Sequence, residues 1–144
     1  MRTLALLLAL MLLLCVPAFA QEEIPQLTLN FAGQGDDAVT FAAQWCDTDT
    51  ARALAALLPQ TLLFSDLNGY EKYAYLDVEL PECGEAVETI HAGDILLFGN
   101  QCLVIFYEDT ETPYNYTRIG QVLNIDALKT AMGDWEVTFT LITE

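Results

Sequence analysis

TIHAGDILLFGNQCLVIFYEDTETPYNYTRIGQV, residues 89–122, sets three apolar or aromatic runs between corner residues. His91-Ala92-Gly93-Asp94 makes a corner into the apolar run Ile95-Leu96-Leu97-Phe98, and Gly99-Asn100 makes the next corner. Leu103-Val104-Ile105-Phe106-Tyr107 then reads as a buried strand, because a short apolar run bounded by turn residues and rich in β-formers suits a sheet covered on both faces. After an acidic turn from Glu108 to Thr112, Tyr114 to Gly120 reads as a third strand. Three strands joined by tight corners leave no room for crossover helices, so the layout is antiparallel.

Working outward, Thr61 to Ser65 and Glu71 to Leu76 read as two strands joined through Asp66-Leu67-Asn68-Gly69, where Asn-Gly favours a tight hairpin turn. Leu27, Leu29 and Phe31 alternate with Thr28 and Asn30 as a half-buried strand, a turn follows at Gly33 to Asp37, and Val39-Thr40-Phe41 returns. Val137 to Leu141 closes the chain as a further strand. Two short helices are predicted. One runs from Thr50 to Leu58, capped by Asp47 or Asp49 and stopped by Pro59, and the other from Asp126 to Met132, capped by Asp126. Many short strands, corner glycines and two short helices predict a mainly β domain, a closed or nearly closed barrel capped at its ends, since closure removes sheet edges. No Gly-rich phosphate loop precedes a helix, which disfavours a nucleotide fold.

The N-terminus predicts export. Arg2, the apolar run Leu4 to Val16 and the small-residue pattern Ala18-Phe19-Ala20 have the layout of a cleaved secretory signal over residues 1–20. The domain is then residues 21–144, beginning at Gln21, with a secreted or periplasmic location and no membrane attachment after cleavage. Removing Arg2 with the signal takes the formal charge from −16 to −17, with 21 Asp and Glu against Arg52, Lys72, Arg118 and Lys129. So acidic a surface repels nucleic acid and anionic lipid, which are poor partners for it. Three cysteines remain beyond the signal. Cys102 sits in the apolar run and is expected as a buried thiol, whereas Cys46 and Cys83, beside polar residues, are the pair expected to bridge if any does. No Cys or His spacing suggests a metal or a redox motif, and no cofactor is implied.

Two segments carry a resemblance: SDLNGYEKYAYL at 65–76 and, more specifically, the stretch at 89–122 are similar to bacterial cyclophilin-like proteins. The resemblance covers nearly all of the domain and implies a cyclophilin-like barrel of about eight strands with two capping helices. It does not imply isomerase activity. The Phe-His-Arg-type segment and the Phe-x-x-Gln-Gly-Gly sequel of true cyclophilins have no counterpart here, so no catalytic residue carries over, and fold alone does not carry function.

Among residues able to do chemistry, His91 is the only histidine and stands at a strand corner, where a structural hydrogen bond is its commonest use. The pairs Asp36/Asp37 and Asp47/Asp49 suit a turn and a helix cap, and neither builds a calcium loop. Asn115-Tyr116-Thr117 matches a glycosylation sequon. The basic residues Lys72 and Arg118 fall among tyrosines 70, 73, 75, 107, 114 and 116. These place a candidate polar and aromatic pocket at Tyr73, Tyr75, His91, Tyr116 and Arg118, with Arg118 taking a carboxylate or a peptide backbone. The sequence therefore points to an exported non-enzymatic binding or accessory module for a peptide or small molecule. The alternative is a divergent peptidyl-prolyl isomerase in which Arg118 polarises the proline amide.

Overall fold

A computed structural model describes residues 26–32, 38–131 and 135–142 of the chain. The expected signal segment 1–20 and start at Gln21, the expected turn at 33–37 with its Asp36/Asp37 pair, and the expected helix end at Met132 lie outside the described residues. The strands are β1 (Gln26–Ala32), β2 (Ala38–Trp45), β3 (Gln60–Leu67), β4 (Glu71–Tyr75), β5 (Glu85–Ala86), β6 (Thr89–Ile90), β7 (Asp94–Phe98), β8 (Cys102–Phe106), β9 (Thr110–Glu111), β10 (Asn115–Val122) and β11 (Trp135–Ile142). The helices are α1 (Asp49–Ala55) and α2 (Ile125–Ala131).

One antiparallel sheet of nine strands runs in the order β2-β1-β11-β3-β4-β8-β7-β10-β5, and β6 pairs with β9 in a small sheet of two. The hairpin β3–β4 turns where expected: Asn68 and Gly69 both adopt positive φ, 58° and 73°, as the tight turn requires. The long sheet curls until β10 meets β2, but only Gly120, Gln121 and Val122 pair there, opposite Trp45, Gln44 and Ala43. Elsewhere on that edge β10 pairs instead with β5, at Asn115 and Tyr116. The expectation of a fully closed barrel is corrected accordingly: the fold is mainly β, a curled sheet with a short seam at one end. Gly120 makes that seam possible, since a Cβ there would stand 2.4 Å from the Gln44 carbonyl oxygen.

The expectation of two capping helices is corrected as well. α1 packs along β10 and sends Ala51 and Leu54 into the core, whereas α2 contributes Leu128 and does not lie along a strand. The cap residue of α1 is Thr48, between the two aspartates expected. Its Oγ1 accepts from the Ala51 N–H and donates to the Arg118 carbonyl, so one side chain both starts the helix and ties it to β10. Asp47 and Asp49 pair with Arg52 instead.

Strand alternation divides the side chains between two apolar clusters. The concave interior holds Phe41, Trp45, Phe64, Ala74, Ile95, Leu97, Leu103, Ile105 and Ile119. The opposite face of β4, β8, β7 and β10 carries Leu96, Cys102, Val104, Phe106 and Tyr116, with Val87 and Ile90 from the irregular stretch folded over part of it.

Candidate functional site

The outer face of β4, β8, β7 and β10 contains a cleft of about 400 Å³. Pairing register explains why. Tyr75 of β4 lies opposite Cys102 of β8, which lies opposite Phe98 of β7; in the next row Tyr73 lies opposite Val104. The small side chains Cys102 and Val104 thus form a floor between larger neighbours. Aromatic rings build the walls: Tyr73 and Tyr75 meet edge to face at 6.0 Å, and Phe98 touches Tyr114 at 5.7 Å and Tyr116 at 5.6 Å. Leu67 and Glu71 close the remaining end. Tyr75, Phe98, Tyr114 and Leu67 are 68%, 45%, 58% and 41% exposed, so large apolar side chains that folding leaves in water converge on one hollow.

Glu71 is the charged group of this cleft and is only 8% exposed. Burial, reinforced by the charge of Asp66, pushes its carboxyl above the usual value. Its sequence neighbour Lys72 points to the opposite face, where Nζ sits 3.0 Å from Asp66 Oδ1, and Tyr107 donates to the same oxygen at 2.6 Å. The Tyr107 hydrogen bond, with the Lys72 charge, holds Asp66 below its ordinary value. Burial likewise raises Tyr116 and the Cys102 thiol, and the Glu71 charge adds to both shifts.

Of the expected pocket residues, the structure brings Tyr73, Tyr75 and Tyr116 together at the cleft and leaves His91 and Arg118 out. His91 is exposed at its corner, with its backbone N–H donating to Asp94. Arg118 lies two residues along β10 from Tyr116, with Nη1 turned to Asp94 Oδ2 at 3.8 Å. Register is the reason: Arg118 pairs with Leu96, two residues along β7 from the buried Asp94, and not with the aromatic row at Phe98. The groove that the isomerase alternative needs around Arg118 is therefore built without it. Cys46 and Cys83, the pair named to bridge if any did, are not bridged in this structure. Cys46, Cys83 and Cys102 are free thiols, with the Cys46 N–H donating to the Ile119 carbonyl and the Cys83 N–H to Thr117 Oγ1, two positions along β10. Cys102 is buried as expected, but in the cleft floor and not in the interior core. Sequence reading missed Glu71, Leu67, Phe98 and Cys102 as site residues. The signal for Glu71 was present in EKYAY, where alternation sets it on one face with Tyr73 and Tyr75.

A family model described as the Cyclophilin-like family matches residues 36–140. The chain belongs to the cyclophilin-like family. Among solved structures, this cyclophilin-like chain is similar to one titled "Structure of McbB in complex with tryptophan", at 18% identity and a TM-score of 0.62 over 83% of its own length. It spans 45% of the McbB chain, so the likeness concerns the fold of that part alone. Comparison with curated proteins gives no match.

Proposed function

We propose that this cyclophilin-like domain is an extracytoplasmic binding module, freed by removal of residues 1–20, which holds a small organic molecule in the outer-face cleft. The observation that carries the reading is the convergence of exposed Tyr75, Phe98, Tyr114 and Leu67 around the small floor residues Cys102 and Val104. A sheet face serving stability alone would fill that hollow, because interiors pack densely and an open apolar surface costs free energy. About 400 Å³ suits a ligand of one or two rings, within the usual size range of small-molecule sites. Aromatic walls favour a flat body, stacked or edge-on. The complex of the structural neighbour with tryptophan supports a ligand of this size, through fold alone.

Titration of the mature domain with the neutral indole alcohol tryptophol, followed by isothermal calorimetry, tests the reading. Saturable binding that is lost in Phe98→Ala, with the melting temperature nearly unchanged, is the expected result. Binding unaffected by Phe98→Ala would place the ligand elsewhere.

A further inference from the structure

Glu71 raises a question of charge that the cleft by itself does not answer. Glu71 is only 8% exposed as a residue, with its carboxyl oxygens opening onto the cleft, and a carboxylate so placed normally finds a basic partner or several hydrogen bonds, since an uncompensated charge in a largely apolar setting is costly. Among the described residues Glu71 has neither. Its perturbation comes from burial and from another acid, with no hydrogen bond in opposition. Among the described residues none supplies the missing cation. Apart from Arg2 in the signal segment the chain contains four basic residues. Each is engaged elsewhere: Arg52 with Asp47 and Asp49, Lys72 with Asp66, Arg118 with Asp94, and Lys129 with Glu108. The exposed His91 is not in the cleft.

The cleft that Glu71 lines is otherwise walled largely by aromatic rings. Tyr73, Tyr75 and Tyr116 line the same hollow, and a ring presents a negative face that attracts a cation. A buried anion together with tyrosine rings, in a cleft without a basic side chain, is complementary to a small positive group bearing an apolar body. It is hostile to a carboxylate.

Resting on the reading of the cleft as a small-molecule site, we propose that its ligand is an organic amine. The protonated or methylated nitrogen lies against the Glu71 carboxylate among the tyrosines, and the flat body extends over Cys102 and Val104 towards Phe98. This reverses the polarity expected from the sequence, where Arg118 was to take an anion.

Three indole probes of similar size test it by calorimetry: tryptamine, tryptophol and indole-3-propionate, on the mature domain and on Glu71→Gln. Tryptamine should bind about tenfold more tightly than tryptophol, the worth of a partly desolvated cation contact, and indole-3-propionate most weakly. Glu71→Gln, which keeps the side-chain shape, should erase the preference for the amine, bringing tryptamine to the affinity of tryptophol; cooperative thermal melting reports that the variant is folded. Equal affinity for the three probes would overturn the amine inference and leave the cleft reading standing. An amine preference that survives Glu71→Gln would overturn the role of Glu71. Failure of all three to bind the unmodified domain would overturn the cleft reading and the inference together.

Discussion

The two faces of β8 are alternate residues of one strand, yet they are built on different plans. Leu103 and Ile105 point inward, are fully buried, and share the interior cluster with Phe64, Ile119 and their direct partners on β7, Leu97 and Ile95. Cys102 and Val104 point outward and are smaller; both are buried, and they floor a hollow between larger rings. Both faces exclude water, Phe106 on the outer one being only 1% exposed, but the outer face leaves a hollow beside its small residues. A strand therefore divides its work between faces, stability within and recognition without, and side-chain size at alternate positions records the division.

The largest expected effect tests that division directly. Leu103→Ala should cost about 2–5 kcal/mol of unfolding free energy, because the interior cannot collapse around the lost atoms. Val104→Ala, the next residue, should cost about 1 kcal/mol, since its lost methyls already border an open hollow. Urea denaturation of both variants measures the gap. Equal losses would break the comparison by showing the outer face to be as closely filled as the inner.

A second expected effect concerns the inner face at its polar end. Asp66 receives both the buried Lys72 ammonium and the Tyr107 hydroxyl. Asp66→Asn keeps the shape but leaves Lys72 buried without a counterion, and it should cost about 1–3 kcal/mol. Raising ionic strength should reproduce only part of that loss, because Lys72 is buried while Asp66 is 38% exposed, so the pair is partly screened. A variant as stable as the parent would mean that Lys72 finds another partner, which would weaken the charge inventory around Glu71.

How legible all this is in the sequence depends on the range of the interaction involved. Strands β7, β8 and β10 follow from local apolar runs and corner glycines, and the Asn68-Gly69 turn follows from conformations that few other residue pairs adopt readily. The two-residue strands β5, β6 and β9 do not, because a pairing that short is decided by its partner strand and not by its own composition. Arg118 and Tyr116 sit two residues apart in the chain, and only the register of β10 on β7 separates Asp94 from the aromatic row. Thr48 was passed over as a cap because aspartates flank it on both sides, and Arg52 claims both of them. The seam between β2 and β10 joins residues far apart in sequence, and no local pattern announces how many of them will pair.

Phe98 sharpens the comparison at smaller magnitude. It is 45% exposed, so Phe98→Ala should lower the unfolding free energy by less than about 1 kcal/mol, well under the usual cost of truncating a buried ring. It should nonetheless weaken tryptophol binding markedly. A variant that loses stability and keeps binding would assign Phe98 to the structural side of the sheet.

The smallest effect carries the most information about Glu71. In the folded chain its carboxyl is raised by burial and by Asp66 on β3. The other titratable groups that line its cleft, Tyr73 and Tyr75 on β4, Cys102 on β8 and Tyr116 on β10, carry no positive charge. Folding therefore favours the protonated form. This contribution to stability is fully present below the ordinary glutamate range and is lost as pH rises through the raised folded value. A glutamine side chain does not titrate, so Glu71→Gln should melt with the parent near about pH 4 and melt higher near about pH 7, where about 1 kcal/mol corresponds to a few degrees in a domain of this size. The same variant should then be more stable and a poorer receptor for an amine, the trade expected where a binding site holds a charge that the fold alone would not choose. If Glu71→Gln instead melts lower at neutral pH, the carboxylate is held by a contact of its own, and no ligand cation is needed to explain it.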